Sequence, residues 1–486
     1  MSIPASLPFP RLQDALIEGR LANVFYRRDQ LRHLQEGLVR QKDALQAATV
    51  QDGSSTVPEA LAELYLTLTA VKQYHDGLKP AGPDGLIAAE YRITHGRDAA
   101  DAQERVGIAV IVPQRHTLVY SVVVPLAAAI AAGNCAVVVL EKTLQSLPPL
   151  LSGLLGECID RDIWELVSSR PAGLDASDCC IQVVQTGDDA DKDTSTPRTL
   201  LSPVRALVVA IVDRTANLEQ AAQQLVDARL RFGGRSPYAP DIVLVNEFAK
   251  QDFLRAAVQH WIRYTTDGGP LEKKPENGAT AGKTVPSQNG VRTVTAGSDS
   301  RIEDVLDRST LLQAPERNKV CERALRVHAV RSLDDAVELI TDMTPTSPLA
   351  VYAFGDLPSC KYLLQFTSAH AGFANTIPPE LLVGPAAPKD YALSLTARYD
   401  PGLFSVPRPK FAETSALSRE MAAILDSRPA AVEAKLLRKV ELEARAPVRL
   451  ITGYFEMSAL VGLITRVAFV GALTCYGVQK VVSLRN

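Results

Sequence analysis

An α/β fold with doubly wound parallel sheets is what this sequence predicts, and three observations carry the prediction. Short, largely apolar runs recur at 107–112, 135–140, 181–184, 206–212 and 242–245. Helical stretches stand between them, as parallel β-α-β units require. At 486 residues the chain is too long for one ordinary core, so two large domains with additions are expected.

The elements follow in chain order. Up to about residue 100, Ala15, Leu16, Leu21, Val24, Phe25, Leu31, Leu34, Leu38 and Leu45 recur at steps of three to four among polar residues, the mark of helices with one apolar face. Residues 58–78 repeat the pattern until Pro80 and Pro83 break it. Gly107–Val112 then reads as a strand, Pro113–Thr117 as a loop, Val119–Ala132 as a buried small-residue helix and Cys135–Leu140 as a second strand parallel to the first. Leu218–Leu230 is helical, and Val327–Val330, Pro348–Phe354 and Gly372–Asn375 are strand-like. Residues 265–300 are rich in Gly, Pro, Lys, Thr, Ser and Asn, and are expected to form a long solvated loop, mobile or inserted.

Composition narrows the function classes. Hydrophobic residues make up 46%, charged residues 22%, and the formal net charge is −3. That balance suits an enzyme-like globular chain and gives no basic surplus for nucleic acid. The seven cysteines (Cys135, Cys158, Cys179, Cys180, Cys321, Cys360, Cys475) are odd in number and scattered, pointing to a reducing compartment. Neither they nor the seven histidines show metal-ligand spacing, so no metal is expected.

Residues 458–486 form a hydrophobic tail interrupted by Arg466. Its apolar span matches the roughly 20 residues a crossing helix needs, and a central Arg costs about 3 kcal/mol on insertion scales. The expectation is membrane attachment from the cytosolic face, by crossing or by shallow insertion; a helix packed on another subunit is the alternative.

The ordered blocks Pro125–Asn134, Ala210–Ala222, Ala239–Val245, Val330–Ile340 and Pro348–Phe354, with Gly19-Arg20 and Arg27–Leu34, resemble the aldehyde dehydrogenase superfamily. The resemblance is to its class-3 or fatty-aldehyde branch as found in fungi. It implies an aldehyde dehydrogenase-like fold with two doubly wound domains, a pairing extension and a hydrophobic tail. The boundaries expected are 1–204 for a degenerate nucleotide-binding-like domain, 205–400 for a catalytic-like domain, 401–457 for the pairing extension and 458–486 for the tail.

The family's chemistry uses a cysteine thiolate, an oxyanion amide, a Glu-activated water and NAD or NADP. Its Gly-Gln-Thr-Cys-x-Ala-Pro segment matches Gly234-Arg235-Ser236-Pro237-Tyr238-Ala239-Pro240, so the nucleophile position is Pro237. The base position falls on Pro203, and the oxyanion amide becomes Arg115. The ribose lysine falls on Val139 or Glu141, the pyrophosphate turn on Thr186-Gly187-Asp188-Asp189, and of the nicotinamide-ribose element only Glu322 corresponds.

A degenerate site is therefore expected. Arg115, His116, Arg235 and Tyr238 are the candidate substrate-binding residues; each also has an ordinary structural reading, a surface ion pair for Arg115 and turn shaping for Arg235 and Tyr238. The favoured function is a repurposed enzyme acting non-oxidatively on a hydrophobic carbonyl intermediate of lipid or specialised metabolism, without a cofactor. The alternatives are a non-enzymatic subunit pairing with an active relative, and an NAD(P)-dependent fatty aldehyde dehydrogenase. A homodimer, or a heterodimer with a related chain, is the expected assembly.

Overall fold

The computed structural model describes residues 9–52, 55–82, 85–141, 143, 145–170, 179–187, 198–266, 285–288, 290–297, 299–312, 319, 322–344, 346–426, 458, 460–468 and 471. The chain divides into two compact units, Met1–Ala412 and Glu413–Asn486. The first holds both large sheets.

Four helices open it: α1 (Pro10–Glu18), α2 (Val24–Arg40), α3 (Lys42–Gln51) and α4 (Val57–Gly77). Thr56 starts α4 through a reciprocal cap in which its hydroxyl takes the Glu59 N–H while the Glu59 carboxylate takes the Thr56 N–H. The buried stripe of α4 runs Ala60, Glu63, Leu64, Thr67, Ala70, Val71 and Tyr74, steps of one helical turn with a carboxylate among the apolar groups.

After α5 (Leu86–Glu90) and β1 (Gln103–Arg105) come β2 (Ile108–Val112), α6 (Leu118–Ala132), β3 (Cys135–Val139), α7 (Leu147–Cys158), β4 (Trp164–Val167), β5 (Cys180–Val184) and β6 (Thr199–Leu201). The last five strands named form a sheet in the order β4-β3-β2-β5-β6. Every pairing in it is parallel, and Ile108 lies opposite Cys135, as the two apolar runs predict. Thirteen of the fifteen residues of α6 are buried, which explains its uniformly apolar sequence.

The second sheet comprises β7 (Val208–Val212), β8 (Ile242–Asn246), β9 (Val285–Gln288), β10 (Val291–Ala296), β11 (Ser300–Val305), β12 (Arg323–Val330), β13 (Ala350–Phe354) and β14 (Ala371–Ala374). Its order is β14-β13-β7-β8-β12-β11-β10-β9, with α8 (Leu218–Leu230) joining β7 to β8 and α9 (Lys250–Thr266) following β8. The pairings are parallel from β14 to β11 and antiparallel at β10 and β9. A short ribbon pairs β1 with β15 (Ser405–Pro407). This is the α/β architecture with parallel sheets that the apolar runs predict.

The expected loop at 265–300 needs correction. Within it β9 and β10 extend the second sheet, because Val291, Thr293, Val294 and Thr295 supply β-branched side chains that suit a pleated edge despite the polar composition. Residues 267–284 lie outside the described residues. So does most of the stretch from 427 to 486. In the second unit a helix at Ala416–Leu425 exposes Leu417, Met421 and Leu425, and the described part of the tail exposes Leu460, Val461, Leu463, Ile464 and Val467. Among the described residues no helix is long and apolar enough to cross a membrane.

Candidate functional site

The turn that follows α8 is the centre of the site. Phe232, Gly233 and Gly234 lie consecutively at φ of 51°, 67° and 69°, a left-handed run that Phe enters only with help. The help is visible: the Phe232 N–H donates to Glu59 Oε1 at 2.7 Å, and its ring is 4% exposed. At Gly234 a Cβ would stand 2.7 Å from the Glu322 carbonyl oxygen, so only glycine fits.

Below the turn, Arg229 and Asp241 are both fully buried and face each other at 3.6 Å. Arg229 also donates to the Pro240 carbonyl at 3.2 Å and to the Gly234 carbonyl. The Asp241 carboxylate accepts the Val208 N–H at 2.8 Å and Lys319 Nζ at 3.1 Å. Lys319 Nζ donates in addition to the Pro237 carbonyl at 2.9 Å. Pro237 is thus buried, brings no nucleophile, and has its carbonyl occupied by an ammonium.

Tyr238 points inward and is fully buried. Its hydroxyl accepts the Ala387 N–H at 3.0 Å, its carbonyl accepts the Tyr352 hydroxyl at 2.8 Å, and the Arg398 guanidinium lies 5.4 Å from its ring centre. Arg398 is 1% exposed and donates to the carbonyls of Ser394, Leu395, Glu380, Leu381 and Val383, tying residues 380–398 into one fold. Burial pushes the Tyr238 phenol above its ordinary pKa.

The loop between β2 and α6 meets the same turn. The His116 ring contacts Phe232 edge-on at 5.8 Å, and its Nε2 faces the Leu382 carbonyl at 3.0 Å. A carbonyl can only accept, so Nε2 carries the proton and Nδ1 the lone pair. Burial pushes the His116 pKa down to about 4, with the nearby Arg235 charge adding to the effect, so the imidazole is neutral. Gln114 is 8% exposed; its N–H donates to Gln185 Oε1 at 3.2 Å, and its side-chain nitrogen is buried with no partner.

The candidates from the sequence therefore fall into two groups. His116, Arg235 and Tyr238 gather around the 231–241 turn. Arg115 points to solvent at 78% side-chain exposure and pairs with Glu141 at 2.8 Å, because both lie just past the ends of the paired strands β2 and β3. Pro203 is half-buried between β6 and β7, where its carbonyl accepts the Ala206 N–H at 3.1 Å. Glu322 touches the turn only through its backbone; its carboxylate is 64% exposed and pairs with Arg301 at 2.9 Å. Asp188, Asp189 and Cys321 lie outside the described residues. Of the described cysteines, all are buried, and burial pushes the Cys135 thiol up to about 12.

Sequence reasoning missed Lys319, Arg398 and Glu63. The first two carry no local signature. Glu63 had one, since it falls on the buried stripe of α4. It is 1% exposed and its Oε1 accepts the Tyr120 N–H at 3.1 Å, while Oε2 has no partner. It caps the first turn of α6 from another helix, and burial pushes its pKa up to about 7.

A groove of about 960 Å³ opens against the Phe232 side of the turn, near the top of the usual size range for small-molecule sites. One side comes from α4 (Pro58, Ala62, Tyr65, Leu66) and the Pro379–Val383 segment. The other comes from α8, its turn and α9 (Asp227, Arg231, His260, Arg263, Tyr264). No cysteine lines it among the described residues. Burial raises the Asp227 pKa and pushes Tyr264 up to about 12. Among the described residues no group of three or more His, Cys, Asp or Glu could hold a metal ion.

No family model matches the chain. Among curated proteins it is 23% identical over 382 residues to aldehyde dehydrogenase family 3 member B2 of Mus musculus, covering 73% of this chain and 77% of that one. It is 22% identical over 362 residues to 4,4'-diaponeurosporen-aldehyde dehydrogenase of Staphylococcus aureus, covering 69% and 76%. Among solved structures, a substrate-bound state of Staphylococcus aureus AldH superposes with a TM-score of 0.65 at 17% identity, covering 88% of this chain and 98% of that chain. At that identity the superposition speaks for the fold.

Proposed function

We propose that this chain, which belongs to the aldehyde dehydrogenase superfamily on its class-3-like side, binds a hydrophobic carbonyl compound in the groove beside Phe232 and does not oxidise it by thiol chemistry. The observation that carries the reading is Pro237. A buried imino acid whose carbonyl is held by Lys319 offers neither a nucleophile nor an N–H for an oxyanion.

The family's dinucleotide is a poor match to the residues present. Glu141 puts a carboxylate, paired with Arg115, at the end of β3, and Glu322 directs its carboxylate to Arg301. What the chain's own groups can do is bind and orient: Arg231 and Phe232 of the turn line the groove, and neutral His116 packs edge-on against the Phe232 ring. A non-oxidative reaction on the bound compound, in lipid or specialised metabolism, is the reading these features support.

Two further properties belong to the proposal. The exposed Leu460, Val461, Leu463, Ile464 and Val467 support attachment of the tail to a membrane from the cytosolic side, and the exposed apolar side chains of Ala416–Leu425 support pairing with a second copy or a related chain. Calorimetry on the purified full chain tests the core of the reading. Octadecanal should bind saturably, while NAD and NADP should give no heat of binding. Dinucleotide binding together with NADH formation would replace the proposal by conventional aldehyde oxidation.

A further inference from the structure

Building on the groove as the ligand site, we infer that Glu59 is a positioning residue of that site: its carboxylate joins the α4 side of the groove to the Phe232 side and thereby sets how tightly a ligand is held.

A glutamate at the third position of a helix ordinarily serves the helix end alone. One Glu59 oxygen does so, accepting the Thr56 N–H at 2.8 Å. The other leaves the helix and accepts the Phe232 N–H at 2.7 Å, from 173 residues along the chain. Thr56, Glu59 and Phe232 all line the groove, so this bond crosses from one side of it to the other. Glu59 is 7% exposed, with both oxygens engaged in these two bonds.

Phe232 needs the bond. Its φ of 51° and ψ of 35° place an aromatic residue in the left-handed region, which a Cβ disfavours and glycine enters freely. The Phe232 N–H is buried with Glu59 as its acceptor, and a buried N–H left without one is costly. Loss of Glu59 therefore drives the turn out of its conformation, and with it move Arg231 and the Phe232 ring, both lining groups. One helical turn further on, α4 directs Glu63 to the Tyr120 N–H at 3.1 Å, in the first turn of α6. The two inward carboxylates of α4 thus fix both segments that meet where His116 packs edge-on against Phe232.

The test measures octadecanal binding to the full chain by calorimetry for the unaltered protein, Glu59→Ala, Phe232→Gly and the double variant, with Thr56→Ala as the control for the helix end. Glu59→Ala should weaken binding about tenfold, the effect of a lost acceptor at a buried N–H. In the Phe232→Gly background the same change should cost less than about threefold, because glycine holds the left-handed turn unaided. Thr56→Ala removes the hydroxyl that caps Glu59 but keeps the bond to Phe232, and should leave affinity within about twofold. Circular dichroism verifies folding; where Glu59→Ala alone fails to fold, the double variant should fold, and its failure as well would overturn the inference. So would an unchanged affinity in Glu59→Ala, an equal loss in both backgrounds, which marks a residue that only lines the groove, or an equal loss in Thr56→Ala, which marks one that only caps α4. If octadecanal does not bind the unaltered chain, the groove reading itself fails and this inference with it.

Discussion

Replacing Glu63 by Gln should shift the stability balance towards the variant increasingly as pH rises. Burial lifts the Glu63 carboxyl from its ordinary 4.5 to about 7. A folded-state value above the unfolded one means that the contribution of Glu63 is fully present below about pH 4.5 and is lost as pH rises through 7. The displacement corresponds to roughly 3 kcal/mol. Gln keeps an oxygen for the Tyr120 N–H and cannot ionise, so the pH-dependent part of the Glu63 contribution disappears in the variant. His116 runs the opposite way. Its value falls from 6.5 to about 4, so its contribution is lost as pH falls below 6.5, equally in both proteins, and it cancels in the comparison. Melting curves of Glu63→Gln and the unaltered protein at about pH 5 and about pH 8 read the effect. The gap should widen in favour of Gln by about 3–4 °C for a body of this size. A constant gap would mean that Glu63 stays ionised throughout and would refute the burial argument.

Other consequences are as direct. Asp241→Ala leaves Arg229 and Lys319 without their carboxylate and should cost about 3–5 kcal/mol in chemical denaturation; a loss under about 1 kcal/mol would show that the pair does not hold the turn. Gly234→Ala should be among the most damaging single changes at the turn, since it meets both a left-handed φ and the Glu322 carbonyl, and soluble yield with an unchanged melting temperature would contradict this. Pro237→Cys should produce no NADH from aldehyde, because a thiol alone restores neither base nor cofactor contacts, and a measurable rate would contradict this. A reporter fused to residues 450–486 should sediment with membranes, and a diffuse cytosolic reporter would remove the reason to favour lipid-like ligands.

The framework was legible because apolar continuity is local information. The runs at 107–112 and 135–140 could hardly be anything but buried parallel strands once a small-residue helix lay between them, and they pair with Ile108 opposite Cys135. The extension at 285–296 was not legible, since its Thr and Val residues are diluted by polar neighbours and gain a partner only from β11. At the site, Pro237 was visible by position alone. Lys319 was not, because it reaches back 82 residues to the Pro237 carbonyl, and nothing near it in the chain marks that contact. Arg115 shows a different limit. Its place next to His116 was correct in sequence, but one residue of rotation sends it to Glu141 and solvent while His116 turns inward to Leu382.

The absence of a nucleophile at residue 237 is tested most directly by NADH formation from octadecanal with NAD, using purified full-length protein freed of contaminating dehydrogenase. No rate above the protein-free control is expected at any aldehyde concentration, with Pro237→Cys equally silent. Steady turnover by the unaltered protein, abolished when Lys319 or a residue of the turn is replaced, would contradict this and return the chain to the oxidative chemistry of its relatives.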